Sequence, residues 1–380
     1  MVLPMTAGFM YSPELTRNIL REDHVLRPMR LRLVYELLQA YGVFERPDAM
    51  VIEPRVATEQ ELMTFHGRDY IESVQAFSRG EDLHRQHRYG FSDWGDNPIS
   101  EGMYEAAALA AGASLVAAES VWNGEADVVF NAGGGYHHAG PDFAYGFCVF
   151  NDAVIAILRL LALGAERVVY IDIDAHHGDG VQNAFYASNR VLTISLHQSG
   201  QTLFPGTGDT TEMGEEGGVG YAVNLPLAPG THNEAYRQVL ENAVAPLIRK
   251  FNPDVLVTQQ GIDTHIDDPL THLRLTSTGH TSAVATLGAL SPGKWLAMGG
   301  GGYDLSAVAR CWAMDYAVMA GVELPDEIPE SYQETYGLKQ LRDDPAADLL
   351  EADDARVWRE AEESVKRVQE LIFPIHGLTV

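Results

Sequence analysis

From residue 127 onward, apolar runs and helical periodicities take turns along the chain. Short runs rich in aliphatic and β-branched residues predict strands over Asp127 to Ala132, Arg167 to Asp172, Val191 to Leu196, Asp254 to Gln259 and Trp295 to Met298. Between them, apolar positions recur at helical spacing over Asp152 to Leu163, Val181 to Tyr186, Glu234 to Arg249 and Gly279 to Leu290. Unbroken apolar strands are buried on both faces, so the alternation predicts an open, mostly parallel sheet with helices on both faces. Upstream, helices are predicted over Arg27 to Tyr41, over Thr58 to Phe77 with a Thr58/Glu61 capping box, and over the alanine-rich Glu101 to Trp122. A polar, aromatic-dotted loop, Ser78 to Ser100, an acidic excursion, Glu323 to Asp354, and a closing helix, Ala355 to Ile372, account for the remainder. No repeat, low-complexity tract or linker divides the sequence, so residues 1–380 are expected to form a single α/β domain.

Charge narrows the function classes. The formal net charge is −27, from 26 Lys and Arg against 53 Asp and Glu, which argues against direct binding to nucleic acid. Two cysteines, Cys148 and Cys311, with no CxxC spacing exclude a disulfide framework and a thiolate metal site. The N-terminus lacks a signal-peptide pattern and no apolar run is long enough to span a bilayer, so a reduced cytoplasmic setting is expected, with no membrane association.

Every predicted strand is followed by polar or glycine-rich residues, and these five segments converge on one sheet edge. The densest is Asp172 to Asp179, where an apolar strand gives way to Asp172, Asp174, His176, His177 and Asp179. Crevices at the carboxyl ends of parallel strands are where open α/β sheets place their sites. Asp174, His176 and Asp263 supply the oxygen and nitrogen donors of a catalytic metal site that keeps one position open. Burying such a cluster without a cation would be costly, although any one of its members alone could be a strand-end cap or a loop histidine. Gly133-Gly134-Gly135-Tyr136-His137-His138 adds two imidazoles suited to moving protons near neutral pH, with Asp172 and Asp179 as spare acids to orient them. Gly299 to Gly302 would let backbone approach a ligand closely, and the Tyr303 hydroxyl can donate to an oxyanion.

The ordered motifs Gly-Gly-Tyr-His-His-Ala, Gly-Phe-Cys-Val-Phe-Asn-Asp, Asp-Ile-Asp-Ala-His-His-Gly-Asp-Gly-Val-Gln, Ser-Leu-His, Phe-Pro-Gly-Thr-Gly-Asp and Gly-Gly-Gly-Gly-Tyr resemble the zinc-dependent histone deacetylase superfamily. The resemblance is nearest to bacterial and archaeal acetoin-utilization-type deacetylases, which share the Asp96-Asn97-Pro98 loop and a C-terminal Phe-Pro-x-His-Gly-Leu, here Phe373 to Leu378. It implies an arginase/deacetylase-like fold with Zn2+, or Fe2+, on Asp174, His176 and Asp263. It also implies an acid/base pair, His137 and His138, with Asp172 and Asp179 behind it, and Tyr303 polarising the acetyl carbonyl. Phe147 and Phe204 would wall an acyl-lysine tunnel, Gly146 would line it, Leu270 and Asp96 would sit at its rim, and Arg30 in an internal channel. A K+ ion would be held by Asp172, Asp174, His176, Ser195 and Leu196. Tyr136 departs from the Trp found in many eukaryotic members, and Asp96 is placed by turn alignment only. His177 is left with a structural role.

The expected reaction is metal-dependent hydrolysis of an N-acetyl amide. An acetylated protein lysine, carried on a metabolic enzyme for example, is the leading substrate; a small acetylated amine such as an acetylpolyamine is the alternative. A third reading, a non-catalytic acyl-lysine binder, would show loss of a metal ligand, of His138 or of Tyr303, and all are present. Neither acyl-chain length nor oligomeric state follows from the sequence.

Overall fold

The computed structural model describes residues 5–18, 20–345, 347 and 354–379. Its strands are β1 (Ala7–Met10), β2 (Ala49–Ile52), β3 (Val128–Asn131), β4 (Val168–Asp172), β5 (Val191–Gln198), β6 (Ala222–Leu227), β7 (Val255–Gln259) and β8 (Trp295–Met298). They form one sheet of eight strands in the order β2-β1-β3-β8-β7-β4-β5-β6, and every pairing is parallel. All five strands expected from the apolar runs are present, and the sheet is wholly parallel.

Alternation along each strand divides the core into two faces, since successive side chains point to opposite sides. Val169 and Ile171 of β4, with Trp295 and Ala297 of β8, pack on one side against the helices Met29–Ala40, Asn233–Val239 with its continuation to Phe251, Ser277–Gly288 and Leu305–Met319. Val168 and Tyr170, with Leu296 and Met298, pack on the other against Met103–Asn123 and Asp152–Leu163. Both faces of the inner strands are therefore buried, which is why those strands read as unbroken apolar runs.

Three strands escaped the pattern. β1 is interrupted by Gly8, β2 is an edge strand with Met50 and Val51 exposed, and β6, the other edge, carries Pro226, which an edge strand tolerates. The helix predicted over Thr58 to Phe77 is two helices, Glu59–Leu62 and Arg68–Ser78. The Thr58 capping box forms as expected, but the first helix ends after one turn and Gly67 caps the second. Leu305–Met319, buried on nearly all sides, presents no polar stripe and so no periodicity to read. The acidic excursion is not wholly solvated. Its Asp343 carboxylate meets Arg310 Nη1 at 2.6 Å and His265 Nε2 at 2.9 Å and accepts the Ser277 N–H at 2.7 Å, and this part of the excursion docks on the core. Residues 346 and 348–353 of the excursion lie outside the described residues.

The order of strands positions the site. The chain passes from β3 to β4 across a gap later filled by β8 and β7, so the order in which strands are added reverses there. Crevices open at such a switch, because the loops leaving the strands diverge. The segments after β3, β8, β7 and β4 all empty into it.

Candidate active site

Asp174 and His176 leave the end of β4, and Asp263 the end of its neighbour β7, so strand pairing alone brings the three together. His176 Nδ1 lies 3.0 Å from Asp174 Oδ1 and 2.8 Å from Asp263 Oδ2. The donor atoms are all buried and within 4.8 Å of one another. Burial, and the Asp174 carboxylate beside it, push Asp263 up to about 6. Two crowded carboxylates and an imidazole in a dry pocket fit a divalent cation, whose charge would relieve that crowding, and three protein donors leave a position open.

Further up the pocket wall, His137 Nδ1 is 2.7 Å from Asp172 Oδ2, and His138 Nδ1 is 2.6 Å from Asp179 Oδ1. The two Nε2 atoms face each other at 3.0 Å. Their environments differ. Burial opposes charge on His137, but the Asp172 and Asp174 carboxylates outweigh it and lift it to about 9. Burial and the neighbouring charge of His137 instead depress His138 to about 4. His137 is thus the more basic ring of the pair and His138 the less basic. Burial, with Asp263 and Asp174 nearby, also raises Tyr303, so its hydroxyl keeps its proton.

These groups share one cavity of about 260 Å³, whose walls include His137, His138, Asp174, His176, Tyr303, Gly146, Phe147, Phe204 and Leu270, with Asp96 at the opening. Phe204 lies 5.1 Å from the His138 ring and Phe147 5.8 Å from the Tyr303 ring, centroid to centroid. Gly146 has φ +50°, and a Cβ there would stand 2.5 Å from His138 Cδ2; no larger residue fits. Gly301 is constrained by the ligands themselves, since its N–H donates to Asp174 Oδ2 at 2.8 Å and its Cβ would strike Asp263. Arg30 is buried, donates to the Gly302 carbonyl at 3.0 Å and lies 5.0 Å over Trp312; it borders a second cavity behind the first.

Ser195 stands opposite Asp172 in the β4–β5 register, with Leu196 next to it, and the Ser195 Oγ accepts the Gly178 N–H at 3.3 Å. The five residues expected to hold a monovalent cation thus gather around the loop that follows β4. His177 binds Thr207 Oγ1 at 2.8 Å and Gln182 Oε1 at 3.1 Å, pinning the loop that carries Phe204.

Several supporting residues went unrecognised in the sequence. Asp152 accepts from the Gly135 and Tyr136 N–H groups at 3.0 and 2.7 Å, and Asn151 Nδ2 donates to the carbonyls of His137 and Ala139 at 3.2 and 3.0 Å. Gln259 donates to Asp174 Oδ2 at 2.8 Å and accepts the Gly261 N–H at 2.8 Å. Polar residues at the ends of otherwise apolar elements were the available sign for all three. His24 gave none, yet its ring packs 4.7 Å from Phe147.

A model of the histone deacetylase domain matches residues 24–319. The chain is 39% identical over 334 residues to the acetoin utilization protein AcuC of Bacillus subtilis, covering 85% of this chain and 84% of that protein. It is 38% identical over 307 residues to histone deacetylase 8 of Xenopus tropicalis, covering 80% and 81%. The crystal structure of an HDAC homolog from Aquifex aeolicus matches with a TM-score of 0.86 at 29% identity, over 96% of this chain and 99% of that one.

Proposed function

The chain belongs to the histone deacetylase family and is a metal-dependent amidohydrolase, and we propose that it removes acetyl groups from lysine side chains of proteins. One observation carries this reading: Asp174, His176, the two histidines and Tyr303 line a single aromatic-walled cavity, with Asp263, Asp172 and Asp179 each bonded to one of the lining imidazoles. A thin aliphatic chain ending in a small amide suits such a tunnel. Zn2+ is the proposed ion on Asp174, His176 and Asp263, and K+ the proposed ion beside Asp172, Asp174, His176, Ser195 and Leu196.

A dication in a site with an open position supplies Lewis-acid polarisation of a carbonyl and lowers the pKa of water. The protein's own groups do the rest. His138, oriented by Asp179, takes the proton from the attacking water, and the more basic His137, held by Asp172, is the proton reservoir for the departing amine through the 3.0 Å contact between the rings. Tyr303 donates its hydroxyl to the oxyanion. Phe147 and Phe204 exclude water from around the amide, and Leu270 and Asp96 receive the substrate at the rim.

The test is turnover by purified protein, with and without added zinc, of an acetyl-lysine peptide and an acetylpolyamine side by side. Zinc-dependent release of acetate from the peptide is expected; turnover of the polyamine alone would replace the protein substrate with a small amine.

A further inference from the structure

Among the described residues, two Trp, Phe or Tyr side chains are exposed: Trp94 at 87% and Phe143 at 44%. Both stand in loops that border the same opening. Trp94 lies two residues before Asp96 and Phe143 three before Gly146, and both of those residues line the cavity.

The Trp94 loop is held in place. The Ser92 N–H donates to the Asn97 carbonyl at 3.0 Å and the Gly95 N–H to the Ser92 carbonyl at 3.2 Å, a closed turn with the indole at its tip. Arg21 donates to the Asp93 carbonyl at 3.1 Å, and His24 Nε2 lies 3.3 Å from the Asp96 carbonyl. Through His24 the turn is braced against Phe147, the tunnel wall on that side. Phe143 is braced on the other side: its ring lies over Gly140, whose N–H donates to the Phe143 carbonyl at 3.0 Å. Ring contacts continue inward from Phe143 to Tyr145 at 6.2 Å and from Tyr145 to Phe204 at 4.6 Å.

Each exposed ring has aspartates next to it in the chain. Asp93 and Asp96 flank Trp94, Asp142, whose carboxylate lies against Gly67, precedes Phe143, and all three acids are exposed. An aromatic face beside a carboxylate is a receptor for guanidinium or ammonium groups, combining cation–π attraction with opposite charge. The chain's net charge of −27 draws in cationic partners and repels acidic ones. The placement on two loops also matters. A lysine side chain entering the tunnel leaves its main chain running away in two directions, whereas a linear polyamine leaves the opening in one.

We propose that Trp94 and Phe143, each on a loop that also carries exposed aspartates, form a docking surface for basic polypeptide on both sides of the acetylated lysine. This rests on the deacetylase reading and selects within it: the preferred site has Arg or Lys near the acetyl-lysine on each side.

The test compares wild type, Trp94→Ala, Phe143→Ala and the double variant on acetyl-lysine peptides with basic, neutral or acidic flanks, on a minimal acetyl-lysine amide, and on an acetylpolyamine. Wild type should prefer basic over acidic flanks in kcat/KM, with the preference shrinking as salt is added. Each single variant should raise KM for the basic peptide roughly two- to fivefold, the scale of one exposed cation–π contact, with kcat and the minimal amide unchanged. Both side chains are exposed, so folding should tolerate their loss. Indifference of wild type to flank charge, or an equal loss in the variants on the minimal amide or the polyamine, would overturn the docking surface. Failure of wild type to turn over any acetyl-lysine substrate would instead overturn the protein-lysine reading beneath it.

Discussion

The foot of the tunnel and its rim are built on opposite principles. At the foot, each titratable group has a fixed partner: His137 has Asp172, His138 has Asp179, and Gln259 clamps Asp174 to the Gly261 backbone. At the rim, Trp94 and Phe143 are exposed on loops that also carry exposed aspartates. Rigid, dry, hydrogen-bonded groups favour a reaction, because dipoles already in place need no reorganisation as charge develops. Exposed rings on loops favour selection, because they meet whatever the substrate carries outside the tunnel. Substitutions at the foot should therefore lower kcat on every substrate, and substitutions at the rim should raise KM on some.

The largest effect expected is from the metal site. Chelation, or Asp174→Ala, should reduce turnover to background on all substrates, and added zinc should restore the chelated protein but not the variant. Next come the groups facing the amide. Tyr303→Phe should lower kcat roughly 100-fold or more, the scale of losing one oxyanion donor. His138→Ala should lower kcat by roughly 100- to 10,000-fold, the range for a lost general base. Equal kcat in either variant and wild type would remove that residue from the mechanism.

A smaller effect should appear in stability rather than rate. His66 is buried, and its Nε2 accepts the N–H of Asn151, the residue that holds the His137 carbonyl. Burial depresses His66 to about 4, below its ordinary 6.5. A depressed value means that the stabilising contribution is complete above pH 6.5 and is lost as pH falls towards 4. From that shift the loss is on the order of 3 kcal/mol. The fall in Tm between pH 7 and 4 should be visibly shallower in His66→Gln; an unchanged slope would show that His66 does not couple acid to the foot. The smallest effect is the several-fold rise in KM expected of Trp94→Ala, confined to basic peptides. If that variant lowered kcat on the minimal amide instead, the division between foot and rim would be lost.

Much of the site was legible because its residues interrupt strong local patterns. The acids and histidines from Asp172 to Asp179 follow an apolar strand, and four glycines precede Tyr303, so their placement at strand ends could be read directly. Residues that act through shape or support left weaker marks. Asp152 resembles any helix-start acid, and only the fold shows it accepting two backbone N–H groups below the histidine pair. His24 and Trp94 lie in irregular loops, where no periodicity says which way a side chain points.

By itself the sequence determined the chemistry and the framework: which strands are apolar throughout, which residues stand at their ends, and hence the donors and proton carriers available. Tertiary structure alone set the distances and fields between them. The insertion of β8 and β7 between β3 and β4 makes neighbours of Asp174 and Asp263. Against burial, the Asp172 and Asp174 carboxylates raise His137, while burial and the neighbouring His137 lower His138, so two adjacent histidines come to differ in basicity. Two distant loops also bring the exposed rings to one opening. Such relations depend on distances between residues far apart in the chain, and local propensity carries no information about those distances.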